Sequence, residues 1–163
     1  MAKIFFTFAA LVASALCFSV AFAVDGIYVQ GKVYCDVCRV EFETKISEPI
    51  LGTSVNLECK NRENNTVTFT AEGTTDAEGI YKIPVVGDHE DDICEVRLVK
   101  SGRVDCSETF KTVDRARVLL TNNGGVVQKN RFANSLGFMT AKASPNCGKT
   151  LQDMGFLPLE VEA

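Results

Sequence analysis

Histidine is almost absent from this chain: His89 is the only one in 163 residues. A zinc site of the His-x-x-x-His kind needs two histidines, and a Ser/His/Asp triad needs an imidazole held in a rigid apolar frame. The sequence also contains no Gly-x-Ser-x-Gly elbow and no phosphate-binding loop. Because His89 lies in the polar segment 87–92, the sequence predicts a solvated loop histidine, no catalytic residue and no enzyme.

Basic residues are also in short supply, with 17 Lys and Arg against 21 Asp and Glu and a formal net charge of −4. An acidic chain without a basic cluster lacks the electrostatic footprint of a nucleic-acid-binding protein. Beyond the N-terminus, no segment is apolar and long enough to span a bilayer. The sequence therefore predicts a soluble protein with no nucleic-acid partner and no membrane insertion.

The one long apolar run lies at the N-terminus. Lys3 precedes an uncharged segment, residues 4–23, that ends in Ala21-Phe22-Ala23, the small-x-small pattern of signal-peptidase sites. An uncleaved anchor is the alternative, but no basic stop-transfer cluster follows, and Asp25 is acidic. We predict a cleaved signal peptide at residues 1–23, a single domain at residues 24–163, and secretion to the extracellular space.

Cysteines are the informative residues that remain. Cys17 leaves with the signal, and six are left: Cys35, Cys38, Cys59, Cys94, Cys106 and Cys147. In an exported chain this even number predicts three disulfides. A thioredoxin-like pair at Cys35 and Cys38 stays open as an alternative, because residues 39–46 are weakly helical. Zinc is disfavoured since it would break the disulfide framework, so we predict no metal and no cofactor.

Short segments of alternating polarity make up the rest of the chain. They predict strands at residues 27–34, 54–60, 66–71, 79–85, 93–99 and 116–121, with Gly31 as a bulge or bend. Residues 41–46 and 150–154 are candidates for short helical turns. Strand spacing favours an all-β sandwich or small barrel over βαβ units.

One disulfide follows from the strand pattern alone. Cys59 and Cys94 both fall on the apolar positions of their predicted strands, so both should face the core. Two inward-facing cysteines on neighbouring strands come within bridging distance. We therefore predict the pair Cys59–Cys94, whereas periodicity does not fix the partners of Cys35 and Cys38.

Residues 31–39, GKVYCDVCR, resemble the signature of the Ole e I family, secreted plant proteins named for the major olive pollen allergen. The resemblance extends over the mature chain. It includes the remaining cysteines, Pro49 followed by Gly52, the segment TDAEGIY at 75–81, Leu136-Gly137-Phe138 and a Leu-Pro near the C-terminus. Val37 departs from the Thr, Asn or Pro usual in the family, at a linker position of the motif.

This resemblance implies a seven-stranded antiparallel β-barrel or sandwich with three disulfides. By cysteine order they would be Cys35–Cys106, Cys38–Cys147 and Cys59–Cys94. The family has no established enzymatic activity, and its members are implicated in pollen hydration, pollen-tube growth and signalling through receptor kinases; several are allergens.

The function expected from these features is that of a secreted, non-enzymatic protein. It would act in pollen, pollen-tube or tissue growth through an extracellular receptor or a cell-wall component. Two alternatives remain: a carrier of a small ligand inside a barrel, and a thiol-redox factor that uses Cys35 and Cys38.

Two surface features are candidates for sites. Asn64-Asn65-Thr66 is a glycosylation sequon with Asn64 as the acceptor, in a polar turn between two predicted strands. The acidic residues of segment 87–92 offer oxygen ligands for weak Ca²⁺ binding. They lack the spacing and central glycine of an EF-hand loop, so an exposed acidic turn is the favoured interpretation.

Overall fold

The computed structural model describes residues 26–156. The predicted signal peptide, its cleavage site and the C-terminal Leu-Pro lie outside the described residues. Residues 26–156 form ten strands and one helix. They are β1 (Ile27–Asp36), β2 (Glu48–Pro49), β3 (Ser54–Asn61), β4 (Val67–Thr74), β5 (Ile80–Val85), β6 (Asp92–Lys100), β7 (Cys106–Thr109), β8 (Arg115–Val118), β9 (Asn130–Phe132), β10 (Leu136–Thr140) and α1 (Cys147–Asp153).

The first sheet is organised around β1. The N-terminal half of β1 pairs antiparallel with β5 and parallel with β9. Its C-terminal half pairs antiparallel with β2 and parallel with β10, and β10 in turn pairs with β7. β1 thus pairs with four other strands, and Cys35 and Asp36 are its last two residues.

The second sheet is antiparallel, in the order β4-β3-β6-β8. Alternate residues of β3 are buried, as are alternate residues of β5 in the first sheet, so the inner faces of the two sheets share one core. The largest fully buried side chains of this core include Tyr81, Ile50, Leu57 and Ile83. This core fills the space between the sheets.

The predicted all-β fold with three disulfides is confirmed, but the seven strands, the closed barrel and the purely antiparallel pairing are wrong, since β1 runs parallel to both β9 and β10. The second sheet ends at β4 and β8, so residues 26–156 do not close a barrel. Part of the difference in the strand count has a local cause, because the segment that runs parallel to β1 is divided into two short strands. β9 and β10 both run parallel to β1, and the register moves by one residue between Phe132 and Leu136. β2 is only two residues long.

Six strand predictions match β1, β3, β4, β5, β6 and β8 within a few residues. The predicted alternation holds, because Val55, Leu57 and Cys59 are buried while their neighbours in β3 are partly exposed. The last strand ends at Val118 rather than at residue 121. The sequence missed β2, β7, β9 and β10, which are short or, in the case of β10, buried at four of five positions without alternation.

Two local predictions are corrected. Gly31 is not a bulge, because the β1–β5 register runs through it unbroken; it is a glycine because an added Cβ would lie 2.2 Å from the hydroxyl oxygen of Tyr81. Residues 41–46 do not form a helix, since Glu41 has a φ of 64°. The helix at residues 150–154 is found as part of α1.

Candidate functional site

The two cysteines of the signature are not bonded to each other. Cys35 is bonded to Cys106 and Cys38 to Cys147, and the third disulfide is Cys59–Cys94. These are the pairs that the family resemblance implies. Cys35 has no exposed surface and Cys38 is only 5% exposed. A redox pair that cycles between Cys35 and Cys38 therefore disagrees with this structure.

Asp36 lies between these cysteines and shapes the loop that follows. Its side chain is fully buried. Its Oδ1 accepts the backbone N–H of Cys38 at 2.9 Å, while its Oδ2 accepts those of Val40 at 2.7 Å and Glu41 at 2.8 Å. Three donors to one carboxylate replace the water that burial removes. The sequence predicted no role for Asp36, although its position between two cysteines of the signature could have indicated one.

The backbone that Asp36 holds is in an unusual conformation. Arg39 and Glu41 both have positive φ, 58° and 64°, which non-glycine residues rarely adopt. Such conformations persist only where surrounding contacts enforce them. The disulfides of Cys35 and Cys38, together with the carboxylate, supply those contacts. The 35–41 loop is therefore a fixed structure and not a flexible connection.

The loop is also joined to the strands beside it. Arg39 Nη1 lies 2.6 Å from Glu108 Oε2 and donates to the carbonyl of Thr140. Thr112 donates its hydroxyl to Glu41. Phe110, between these contacts in sequence, is 45% exposed. We name the surface made by Arg39, Glu41, Glu108, Phe110 and Thr112 the signature face.

Tyr34 directly precedes Cys35 in β1 and is 2% exposed, with its ring against Gly137 of β10. Burial, and then the negative charges of Asp36 and Glu43, raise the pKa of Tyr34 to about 12. The phenol is therefore neutral over the physiological range. It acts as a packing residue against β10.

His89 is buried, which corrects the prediction of a solvated loop histidine. Its ring packs on Phe69 with centroids 5.1 Å apart. Nδ1 lies 2.8 Å from Asp92 Oδ2, and Nε2 lies 3.2 Å from the carbonyl oxygen of Val86. Phe69 of β4 covers the histidine ring. The residues of segment 87–92 alone could not have predicted this contact, because Phe69 lies in another strand.

Asp92 completes this small network. It also accepts a hydrogen bond of 2.6 Å from the hydroxyl of Thr68. Burial alone would raise the pKa of Asp92. The hydrogen bonds from Thr68 and His89, together with the positive charge of Arg62, lower this pKa overall. Both of these contacts go to Oδ2 of Asp92, so this one oxygen joins Thr68 of β4 and the His89 ring to the first residue of β6.

Two carboxylates of the acidic segment 87–92 bind groups of the protein itself. Asp88 accepts the backbone N–H groups of Glu90 and Asn122, and Asp92 faces His89. In the part of the chain that the structure describes, the group with metal-ligand geometry is Cys59, His89 and Cys94. Its two sulfurs are joined in a disulfide, so they are not available as thiolates.

The predicted glycosylation site lies on the exposed β3–β4 turn. Thr66 donates both its backbone N–H, at 3.0 Å, and its hydroxyl, at 2.7 Å, to Asn64 Oδ1. Asn64 and Thr66 are both exposed. The turn therefore presents the acceptor side chain in an ordered local conformation.

A surface cleft of about 640 Å³ lies near the Gly102 turn. Val99, Val104 and Phe138 line it together with Lys100 and Arg103. Arg103 is paired with Glu48 and Asp105. The cleft is a groove on the outside of the molecule, unlike the barrel interior that a ligand carrier would use. Within residues 26–156, no helix has the length and apolar character needed to cross a membrane.

The arrangement defines a disulfide-braced β-sandwich with a rigid signature loop, and comparison with known proteins gives its class. The family model described as "Pollen protein Ole e 1 like" matches residues 25–155. This chain belongs to that family.

Several known proteins resemble the chain over most of its length. The anther-specific protein LAT52 of Solanum lycopersicum is 49% identical over 132 residues, 81% of this chain and 82% of the relative. The Olee1-like protein of Betula pendula is 46% identical over 156 residues, 91% of this chain and 94% of the relative. The crystal structure of the major plantain pollen allergen Pla l 1 has a TM-score of 0.67 and 38% identity, covering 74% of this chain and 98% of that chain.

Proposed function

We propose that this protein is secreted and acts without catalysis, as an extracellular interaction protein in pollen, pollen-tube or tissue growth. Its partner would be a receptor protein or a cell-wall component. The observation that carries the proposal is the signature face, where two disulfides and a buried carboxylate fix the loop that contains Arg39, and where Phe110 lies between the two residues that bind this loop, Glu108 and Thr112. Arginine and aromatic side chains on a rigid frame are the residues that most often dominate protein interfaces.

Secretion is supported by residues 1–23, with their signal-like pattern, and by the three disulfides, which are typical of oxidising compartments. The non-catalytic role is supported by the use that the structure makes of reactive groups. The described cysteines are all in disulfides, and His89 holds two strands together. An allergenic property and a glycan on Asn64 are part of the same proposal, by analogy with the named relatives and from the sequon.

The sharpest test compares two exposed phenylalanines. Phe110 lies on the signature face, and Phe132, 65% exposed, lies in β9 at the other half of β1. Phe110→Ala in the full secreted chain should reduce binding to pollen-tube surfaces and any effect on tube growth, with an unchanged melting temperature. Phe132→Ala, the matched control, should leave both unchanged. Equal effects of the two variants, or none from Phe110→Ala, would contradict the proposed face.

Two alternatives are tested on the same preparation. Non-reducing peptide mapping by mass spectrometry reports the mature N-terminus, the glycan on Asn64 and the state of all six cysteines. Free Cys35 and Cys38, or a bond between them, would favour the thiol-redox factor. A lipid or hormone extracted from the purified protein would favour the ligand carrier, with the cleft near Gly102 as the place to look.

A further inference from the structure

Most of the open strands in both sheets carry a feature that blocks edge-to-edge pairing. β2, β9 and β7 are two, three and four residues long. β5 contains Pro84, and the four-residue β8, at one end of the second sheet, contains Arg115 and Arg117. Short length, proline and positive charge are the usual means by which proteins keep unpaired strands from recruiting another chain.

The strand at the other end of the second sheet, β4, has none of these three features, although its register against β3 shifts between Val67 and Phe69. It is eight residues long, and within residues 26–156 it pairs only with β3. It contains no Lys, Arg or Pro, and its one charged residue is Glu72. Threonine, valine and phenylalanine dominate it, which are residues with high β-propensity. An edge of this length and composition is a template for a second copy of the chain.

The C-terminal end of β4 lies close to the other sheet, and Phe69 and Ala71 in its middle pack against the shared core. At the C-terminal end, Ile83 of β5 lies over Gly73, so that an added Cβ would come within 2.7 Å of it. The N-terminal end is more open, and Val67 is 53% exposed. This open end begins three residues after Asn64, whose side-chain oxygen is held by Thr66 on the turn that leads into β4.

We propose that an N-linked glycan on Asn64 covers the open end of β4 and prevents two copies of this chain from pairing through it. A glycan is bulky and strongly solvated. Attached beside the first residues of β4, it excludes an incoming strand by its volume, and so serves the purpose that Pro84 and the arginines serve elsewhere. This inference rests on the glycan that the proposed function includes.

The test uses the full chain secreted from plant cells, with and without Asn64→Gln. Light scattering over a concentration series gives the number of copies, and amide hydrogen exchange reports on residues 67–71. We expect a monomer for the glycosylated chain. The Asn64→Gln chain should shift from one copy to two as concentration rises, with slower exchange at residues 67–71 in the dimer.

A second variant locates the contact. Thr70 is exposed in β4, where its hydroxyl lies 3.1 Å from Asn56 Oδ1. Thr70→Lys places a positive charge on the open edge, so the combination of Asn64→Gln with Thr70→Lys should return to one copy. Thr70→Lys alone, in the glycosylated chain, is the matched control and should stay monomeric.

Three results would overturn the inference. One is a monomeric Asn64→Gln chain at every concentration with unchanged exchange in β4. Another is a dimer that Thr70→Lys leaves intact, because the contact then lies elsewhere. The third is a native chain whose intact mass shows no glycan and which is nevertheless monomeric. None of these results depends on Phe110. The proposed binding through the signature face is therefore tested separately, by Phe110→Ala.

Discussion

Asp36 is the residue on which the local geometry of the 35–41 loop depends most directly. It has no exposed surface, and it accepts three backbone N–H groups with two oxygens. An asparagine keeps one of these oxygens and replaces the other with an amide group that donates. The loop would then have buried donors facing a donor, which is more costly than a missing bond at the surface.

Asp36→Asn should therefore lower the free energy of unfolding by about 1–3 kcal/mol, the usual cost of unsatisfied buried polar groups. Asp76→Asn is the matched control. Asp76 also accepts two backbone N–H groups, from Glu78 and Ile80, but both bonds go to Oδ1, which asparagine retains. Urea unfolding of the oxidised proteins measures the two changes. A loss as large for Asp76→Asn as for Asp36→Asn would refute this account.

Asp92 gives a prediction about pH at the same scale. Its pKa in the folded protein lies below the ordinary value of 3.8, because bonds from Thr68 and His89 outweigh the effect of burial. A carboxyl group whose pKa falls on folding adds stability that is fully present above its unfolded pKa. That stability is lost as the pH falls through the folded value.

The melting temperature of Asp92→Asn should consequently lie below that of the unchanged chain at pH 6, and the gap should narrow below about pH 4. Asp91→Asn makes the same change of charge at an exposed neighbour and should show little gap at any pH. Thermal melts from pH 6 to about pH 2.5 measure this. A gap of constant size across that range would show that the contribution of Asp92 is not electrostatic.

At the scale of elements, two glycines face two buried tyrosines across neighbouring strands. Gly31 in β1 is paired with Tyr81 in β5, and Gly137 in β10 is paired with Tyr34 in β1. A Cβ on Gly31 would lie 2.2 Å from the Tyr81 hydroxyl, and one on Gly137 would lie 2.9 Å from Cζ of Tyr34. Each ring occupies the space that a side chain on its partner would need.

Gly31→Ala should destabilise the protein by about 1–3 kcal/mol through overpacking. Gly148→Ala in α1 is the control, since an added Cβ there meets nothing within 4 Å. Tyr81→Phe should be neutral or slightly stabilising, because the buried hydroxyl of Tyr81 has no hydrogen-bond partner among residues 26–156. Chemical unfolding gives the free energy of unfolding of all three variants. If Gly31→Ala were as stable as the control Gly148→Ala, the ring of Tyr81 would move aside without cost, and the overpacking argument would be wrong.

Sequence predicted the elements whose signal is local. Strands with one buried face, such as β3 and β6, were predicted together with their inward-facing cysteines. The alternation of polar and apolar residues that indicates such a strand lies within the strand. The tyrosine contact of Gly31 and the burial of His89 were not predictable in this way. Both depend on a partner far along the chain, β5 in one case and Phe69 of β4 in the other. The hydrogen bonds of Asp36 were not predicted, for another reason. They depend on left-handed backbone at Arg39 and Glu41, and neither arginine nor glutamate is typical of that conformation.

At the scale of the whole molecule, the three disulfides cross-link chain segments separated by 35, 71 and 109 residues. Chain entropy predicts a contribution of roughly 4–5 kcal/mol from each, with little difference among them, because loop length enters as a logarithm. The three disulfides differ instead in the structure that surrounds each bond. Cys59 and Cys94 join β3 to β6, which also pair along their whole length, whereas Cys147 opens the short helix α1.

Removing either disulfide should lower the free energy of global unfolding, but only the removal of Cys38–Cys147 should also release a local segment. In Cys38→Ala with Cys147→Ala, we expect fast amide exchange confined to the 35–41 loop and residues 141–156, with weaker binding through the signature face. In Cys59→Ala with Cys94→Ala, we expect a lower midpoint of global unfolding with native exchange at that loop, because the paired strands still hold their register without the bond. Exchange mass spectrometry and denaturant unfolding on the two double variants measure both effects. If the Cys59–Cys94 variant also frees the 35–41 loop, the two ends of the molecule are coupled through the core, and the signature face is not an independently braced surface.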